Sequence, residues 1–375
     1  MAFNNYMGSI DGMEKFWWMT FNRYMSIAVY TFAKLGVADK MVDASDKGLT
    51  AGEIAVKNDW NADLLYRLLR SCADAGIVKR ASADNERFCL TSTGKLLLTD
   101  DPSQIIYYVR LLQGPVFEEP GTALPDLISK KTTLDSIQKK VTGGLDFYDW
   151  IGQDKQKSIL REENGCMAAV TDFVSRPLAI GFDFSGFESI VDCGGNQGGF
   201  LAHLLEHYPM IKRGIVFDLP PAIKLLTDKQ FEIRHIEPNR FEFVSGDLFD
   251  AKTIPPNADA YILRNILDAY NDDKVIAIFS AIYDAVRSNR HDQKSNVTIL
   301  VIGMHSLPEE NSSLKAVNWQ CHALDIMESV LTGGCERTVK QFQLLFQSAG
   351  LEYMNYYSTG TPESIIEARI QTSRQ

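Results

Sequence analysis

The sequence predicts a two-part α/β chain in which a mainly helical N-terminal region precedes a mostly parallel sheet with helices on both faces. Three observations lead there. At 375 residues the chain exceeds what one compact core usually holds. From Phe187 onward short apolar runs alternate with amphipathic helical ones, the pattern of strand–helix–strand units. A glycine cluster, Asp192-Cys-Gly-Gly-Asn-Gln-Gly-Gly199, lies directly after the first of those strands and directly before a helix.

In chain order, the stretch from Trp17 to Met41 (WWMTFNRYMSIAVYTFAKLGVADKM) carries apolar residues at helical spacing on nearly all faces. A helix that greasy must be covered, either by its own domain core or by a partner subunit. Thr50 followed by Glu53 has capping-box spacing and starts a short helix. Asn61 caps a second, which ends near Gly76. The following FCLTSTGKLLL reads as a short strand with a turn, which completes the parts of a winged helix-turn-helix. In a DNA-binding protein the Asn61–Ala75 helix would enter a groove. Here Asp63 and Asp74 offset Arg67 and Arg70, so a scaffold or dimerisation role is preferred. From Gln104 to Phe182, helical pieces and the aromatics of GGLDFYDWIG form a helical connector. Beyond Phe187 five strands are expected, in SIVDCGG, RGIVFDLP, FEFVSGDLF, ADAYILRNIL and VTILVIGMH. LAHLLEHYP, AIKLL and KVIAIFSAIYDAV fill the helical intervals.

Composition narrows the classes. A formal net charge of -10 without any lysine- or arginine-rich block argues against nucleic-acid binding, which needs a basic face. Six scattered cysteines, with no CxxC pair and no Cys/His cluster at ligand spacing, read as free thiols of a reducing compartment, with no bound metal. The N-terminus lacks a basic segment followed by an apolar one, and no apolar run approaches the ~20 residues that span a bilayer. The expectation is a cytoplasmic protein without membrane partners.

The chemistry starts at the glycine loop. Glycines are needed there because the chain turns sharply and a ligand must approach the backbone. Asp218, in FDLP, ends the next strand, at the separation of a carboxylate that grips ribose hydroxyls. Asp192 precedes the glycines, where it would repel a pyrophosphate and suits a ligand with a positive amino group. That favours S-adenosylmethionine over NAD. Asp247, in SGDLF, ends the third strand and could reach an adenine edge. Singly each acid is an ordinary loop cap; three at successive strand ends read as a binding site.

VDCGGNQGG, FDLP, GDLF and GGCERTVKQFQLLFQSAG are similar, in order and spacing, to the motifs of plant caffeate-type and animal acetylserotonin-type O-methyltransferases. The resemblance covers nearly the whole chain. It implies a helical, winged-helix-like dimerisation domain over residues 1–110, a connector contributing to the acceptor pocket over 111–182, and a Rossmann-like methyltransferase domain over 183–375. It further implies a homodimer and a small-molecule methyl acceptor. Asp192, Gly194 and Gly195 would line the methionine end of S-adenosylmethionine, Asp218 and Leu219 its ribose and adenine, and Asp247 and Leu248 its adenine. Arg264 stands where the family has Lys or Arg near the cofactor. Asn196 replaces a family glycine, and asparagine tolerates the left-handed backbone angles needed there.

The resemblance breaks at the proton-removing machinery. Family members follow the Lys/Arg with a motif ending His-Asp-Trp, whose His deprotonates the acceptor. The matching stretch here is Arg264-Asn-Ile-Leu-Asp-Ala-Tyr270, which puts Asp268 at the His position, or Leu267 with a one-residue slip. The acid that orients the His is replaced by Met304, while the third acid survives as Glu336. An ordinary Asp is a poor base at neutral pH, although burial can raise its pKa. A thioether sulfur has no proton to lose and needs only alignment. The expected reaction is therefore S-methylation, as by the similar enzymes that methylate 4-methylthio-2-hydroxybutyrate on the way to dimethylsulfoniopropionate. O-methylation using Asp268 or the substrate itself is the alternative, and a non-catalytic S-adenosylmethionine-binding scaffold is a third reading. For an acidic acceptor, Tyr107, Tyr108 and Arg110 in IIYYVRLL and His305 beside Met304 are candidate contacts. His322 and Met327 lie on the helix that family members use to line the acceptor pocket; Met167, Phe147 and Trp150 are weaker candidates.

Overall fold

The computed structural model describes residues 13–81, 84–145, 147–289, 296–305 and 315–370. The chain divides between Glu118 and Glu119 into two compact units. Among the described residues no helix is long and apolar enough to cross a membrane.

The N-terminal unit contains α1 (Met13–Lys34), β1 (Leu49–Thr50), α2 (Ala51–Asn58), α3 (Ala62–Asp74), β2 (Val78–Ala81), β3 (Asp84–Leu90) and α4 (Ile105–Leu112). The helix starts fall at the cap residues. The Thr50 hydroxyl accepts from the Glu53 N–H at 3.2 Å, and the Glu53 carboxylate accepts from the Thr50 N–H at 2.7 Å. Asn61 Oδ1 accepts from the Leu64 N–H at 2.9 Å. The three strands pair antiparallel in the order β1-β3-β2. Phe32 of α1, Ile54 of α2, Leu69 of α3, Phe88 of β3 and Ile106 of α4 meet in one core. Only part of α1 is covered by it. Phe16, Trp17, Phe21 and Tyr24 are all more than half exposed, so within this unit the greasy helix keeps one bare aromatic face.

The second unit holds α5 (Lys157–Gly181), β4 (Ser189–Cys193), α6 (Gly199–His207), β5 (Arg213–Asp218), β6 (Phe241–Ser245), β7 (Ala260–Arg264), α7 (Asp272–Asn289), β8 (Val297–Gly303), α8 (Lys315–Leu331), α9 (Val339–Ser348), β9 (Leu351–Ser358) and β10 (Ser364–Ile370). The sheet order is β6-β5-β4-β7-β8-β10-β9. All five expected strands are present and mutually parallel. The C-terminal hairpin is additional, with β10 antiparallel to both β8 and β9. Successive side chains point to opposite faces. Val191, Phe217 and Tyr261 pack under α7 and α9, while Ile190, Val216 and Ile262 pack under α5 and α6. Much of the expected connector is thus a sheet-packing helix, with Val174, Leu178 and Ala179 of α5 in the core. Strand order reverses at β4, which is flanked by β5 and β7, and such switch points open a crevice at the strands' carboxyl ends.

Candidate active site

The loop after β4 closes onto its neighbours through the backbone. Gly194 adopts φ +70°, its N–H donates to the Phe217 carbonyl at 2.7 Å, and a Cβ there would overlap the Ile266 side chain. Asn196 also has positive φ, and its N–H donates to Asp218 Oδ2 at 2.9 Å. The Leu219 N–H donates to the other Asp218 oxygen at 2.7 Å. The turn geometry thus aims the acid at the end of β5.

One cleft at the carboxyl ends of β4 to β7 is lined by all eight residues expected to hold a cofactor: Asp192, Gly194, Gly195, Asp218, Leu219, Asp247, Leu248 and Arg264. Asp247 also caps its own turn, accepting from the Phe249 N–H at 2.9 Å. Arg264 is buried and locked. Its Nε and Nη2 donate to the Glu363 carboxylate at 2.7 and 3.0 Å, Nη1 donates to Ser175 Oγ at 3.1 Å, and its guanidinium carbon lies 5.1 Å from the Phe200 ring centroid. The Asn265 amide donates to the same Glu363 at 3.0 Å. Glu363 opens the C-terminal hairpin and carried no motif by which the sequence could have shown it.

The cleft is also lined from α5, through Glu163, Asn164 and Met167. Of these only Met167 stood out in the sequence. The Asn164 carbonyl accepts from Gln197 Nε2 at 3.2 Å, which ties α5 to the glycine loop. Three carboxyls in the cleft are pushed upward. Burial raises Asp192 to about 7, with Arg264 opposing and Asp218 adding to the rise. Burial and the Asp218 charge raise Glu163 to about 7. Asp218 itself rises through burial, against the pull of its two backbone donors.

A smaller cavity shares Asn265 and Ile266 with this cleft and is lined by Asp268, Met304, His305 and Glu336 among others. Burial raises the pKa of Asp268. Burial, then the charges of Asp268, Glu328 and Asp325, raise Glu336 to about 9. Glu328 of α8, which the sequence reading did not single out, is raised to about 8 by burial and by Asp268. A buried arginine ties together the two segments that carry Asp268 and Glu336. Arg337 donates to the Leu267 carbonyl at 2.8 Å, the Tyr270 carbonyl at 2.6 Å and Asp272 Oδ1 at 2.8 Å, pinning the GGCERT turn onto the segment that carries Asp268. Gly334 makes that approach possible, since a Cβ would collide with the Asp268 carbonyl.

The expected acceptor contacts are scattered. The His305 ring is buried, its Nδ1 lies 2.7 Å from Ser364 Oγ, and burial lowers its pKa to about 3. It is therefore neutral and cannot serve as the cation expected for an acidic acceptor. The Met304 carbonyl accepts from the Cys321 thiol at 3.0 Å. On α8, His322 is exposed and Met327 is half-buried. Tyr107 is buried in the N-terminal core, Tyr108 is partly exposed, and Arg110 donates to the Ala33 carbonyl at 3.0 and 2.7 Å, joining α4 to α1. Among the described residues no group of three or more His, Cys, Asp or Glu is placed to hold a metal ion.

Two family models match the chain, the O-methyltransferase domain over residues 125–352 and the O-methyltransferase dimerisation domain over residues 17–100. The chain is 27% identical over 369 residues to the phenazine O-methyltransferase PhzM of Lysobacter antibioticus, covering 98% of this chain and 99% of that one. It is 30% identical over 291 residues to the cephaeline 6'-O-methyltransferase CiOMT of Carapichea ipecacuanha, covering 77% and 75%. The crystal structure of human N-acetylserotonin methyltransferase in complex with S-adenosylmethionine shares the fold, with TM-score 0.72, 20% identity and coverage of 97% and 99%.

Proposed function

The chain belongs to the O-methyltransferase family, and from that premise we propose that it transfers a methyl group from S-adenosylmethionine to a hydroxyl oxygen of a small molecule, with Asp268 as the base. The observation that carries this reading is a half-buried, pKa-raised Asp268 in a cavity that shares Asn265 and Ile266 with the acid-lined cleft. As a methyltransferase (EC 2.1.1.-), the protein takes S-adenosylmethionine as cofactor.

The cleft suits that cofactor. Burial raises the carboxyls of Asp192 and Glu163 to about 7 and that of Asp218 above its ordinary range, and a ligand bearing ammonium and sulfonium charges favours the ionised form of all three. Asp192 with Gly194 and Gly195 would hold the methionine end, Asp218 and Leu219 the ribose, and Asp247 and Leu248 the adenine. Arg264, neutralised by Glu363, shapes the cleft floor. When bound, the cofactor supplies an electrophilic methyl on a sulfonium leaving group.

The missing histidine pointed toward sulfur acceptors, but the phenazine and cephaeline relatives are named for oxygen, and Asp268 is the base we propose in the histidine's place. Close carboxyls cannot all ionise. Burial and the charge of Asp268 raise Glu336 and Glu328, whereas Arg337 opposes the burial-driven rise of Asp268, so Asp268 is the acid of the three we assign as the base. Its raised pKa makes it a better base than an exposed aspartate, and water exclusion keeps the transferred proton local. The test is a methyl-transfer screen by mass spectrometry across phenols, alcohols, amines and thioethers. Methylated phenols or alcohols are expected; products only from thioethers would sink the oxygen reading.

The same premise assigns the bare face of α1. The dimerisation model begins at residue 17, where the Trp17 and Phe21 rings lie 5.1 Å apart, tilted by 44°, while both stay exposed. A second copy of the chain is the proposed cover. Trp17→Glu with Phe21→Glu is expected to weaken the homodimer at least about 30-fold, as loss of aromatic anchors does, read as a monomer in light scattering at micromolar concentration. An unchanged dimer would place the interface elsewhere.

A further inference from the structure

Glu163 stands apart from the other acids of the cleft. Asp218 is held by two backbone N–H donors and Asp247 by one, and Asp192 lies under the charge of Arg264. Glu163 is nine-tenths buried on α5, lines the cleft, and among the described residues makes no hydrogen bond or ion pair. Burying a carboxyl without partners is costly, so such a group is retained where a ligand completes it.

The charged groups that line the cleft with it are three acids and Arg264. Asp218, at the end of β5, raises its pKa, and Glu163 in turn raises that of Cys166, one turn along α5. Asp192 and Arg264 line the same cleft from β4 and β7, and Asp247 from the loop after β6. With Arg264 bound bidentately to Glu363, its charge is already answered. No cation within the protein is therefore assigned to Glu163. On the proposed cofactor placement Asp218 is the ribose acid, and the sulfonium is attached to the ribose carbon. Glu163 lines the same cleft from α5 with no hydrogen bond or ion pair among the described residues, and is the acid left to face that fixed positive charge.

We propose that Glu163 is a further cofactor-binding residue, whose carboxylate answers the sulfonium charge and so selects S-adenosylmethionine over the uncharged thioether product. This rests on the methyltransferase reading above. In the empty protein Glu163 is partly protonated at pH 7, and binding drives its proton to solvent. Afterwards methyl transfer removes the positive charge, the carboxylate loses its partner, and S-adenosylhomocysteine is released more readily.

The experiment is calorimetry of wild type and Glu163→Gln with S-adenosylmethionine and S-adenosylhomocysteine, each in two buffers of different ionisation enthalpy at pH 7. Wild type is expected to release protons on binding S-adenosylmethionine and to prefer it over the product. Glu163→Gln is expected to weaken S-adenosylmethionine at least about tenfold, the equivalent of one pKa unit of coupling, to weaken the product far less, and to release fewer protons. Linkage supplies a check on folding. A carboxyl whose folded pKa exceeds its unfolded value costs stability as pH rises from about 4.5 to about 7, so unliganded Glu163→Gln is expected to melt higher than wild type at pH 7.5. Equal losses for both ligands, unchanged affinity, or a rise only in the acceptor's KM would overturn the assignment. Failure of wild type itself to bind S-adenosylmethionine would instead refute the methyltransferase reading.

Discussion

Asp268→Asn is expected to lower kcat by about 10²–10⁴-fold, the range of a lost general base, while S-adenosylmethionine affinity stays within twofold. The separation of the two effects follows from geometry. Asp268 lines the smaller cavity with Glu336 and Met304, whereas the cleft with the glycine loop is lined by other residues. Asparagine keeps the shape and the backbone contacts but cannot take a proton. The pH profile carries the same signature. Burial holds the Asp268 carboxyl above its ordinary range, so the rate of wild type rises with pH across a limb displaced toward neutrality. In Asp268→Asn that limb is expected to vanish along with most of the rate. An unaltered kcat with a phenolic acceptor would show that the acceptor loses its proton by another route and would reinstate substrate-assisted transfer.

Glu363→Ala is expected to destabilise the protein by roughly 3–5 kcal/mol, the cost of stranding a buried charge, seen in calorimetry as a fall in Tm of about 10 °C for a unit of this size. The side chains of Arg264 and Glu363 are 6% and 4% exposed, and the pair is bidentate. Removing the carboxylate leaves the guanidinium with only Ser175 Oγ as a side-chain hydrogen-bond acceptor among the described residues and frees the Asn265 amide. Because Arg264 and Asn265 both line the cleft, loss of S-adenosylmethionine binding is expected with the loss of stability. The double variant Arg264→Met with Glu363→Leu separates the two. An apolar replacement of a buried pair is often neutral, so stability is expected to return while the cleft stays altered. A Glu363→Ala protein with wild-type Tm would mean that water reaches the guanidinium.

What could be read from the chain alone was local. The Thr50–Glu53 capping box, the Asn61 cap and the five strands were legible because each depends on neighbours within a few residues, or on an apolar period. The acids at the ends of β4 and β5 and after β6 were legible for a related reason: strand ends in a parallel sheet converge, so three sequence signals imply one place. The C-terminal hairpin was not, since β9 mixes buried and exposed positions without clean alternation. With it went Glu363, the partner that lets Arg264 sit buried.

The proton-handling side shows the same division more sharply. The sequence by itself determined that the family's histidine is absent, that Asp268 stands at its position without gaps, or Leu267 with a one-residue slip, and that Glu336 remains. It could not determine whether Asp268 is a base, because that depends on how much water and how many neighbouring charges surround it. Tertiary packing supplies those surroundings: Gly334 and Arg337 hold the GGCERT turn against the segment that carries Asp268, and Glu336 and Glu328 lie near enough to feel its charge. Residue identity sets a side chain's ordinary pKa, but desolvation and nearby charge, which exist only in the folded chain, set the pKa with which it works.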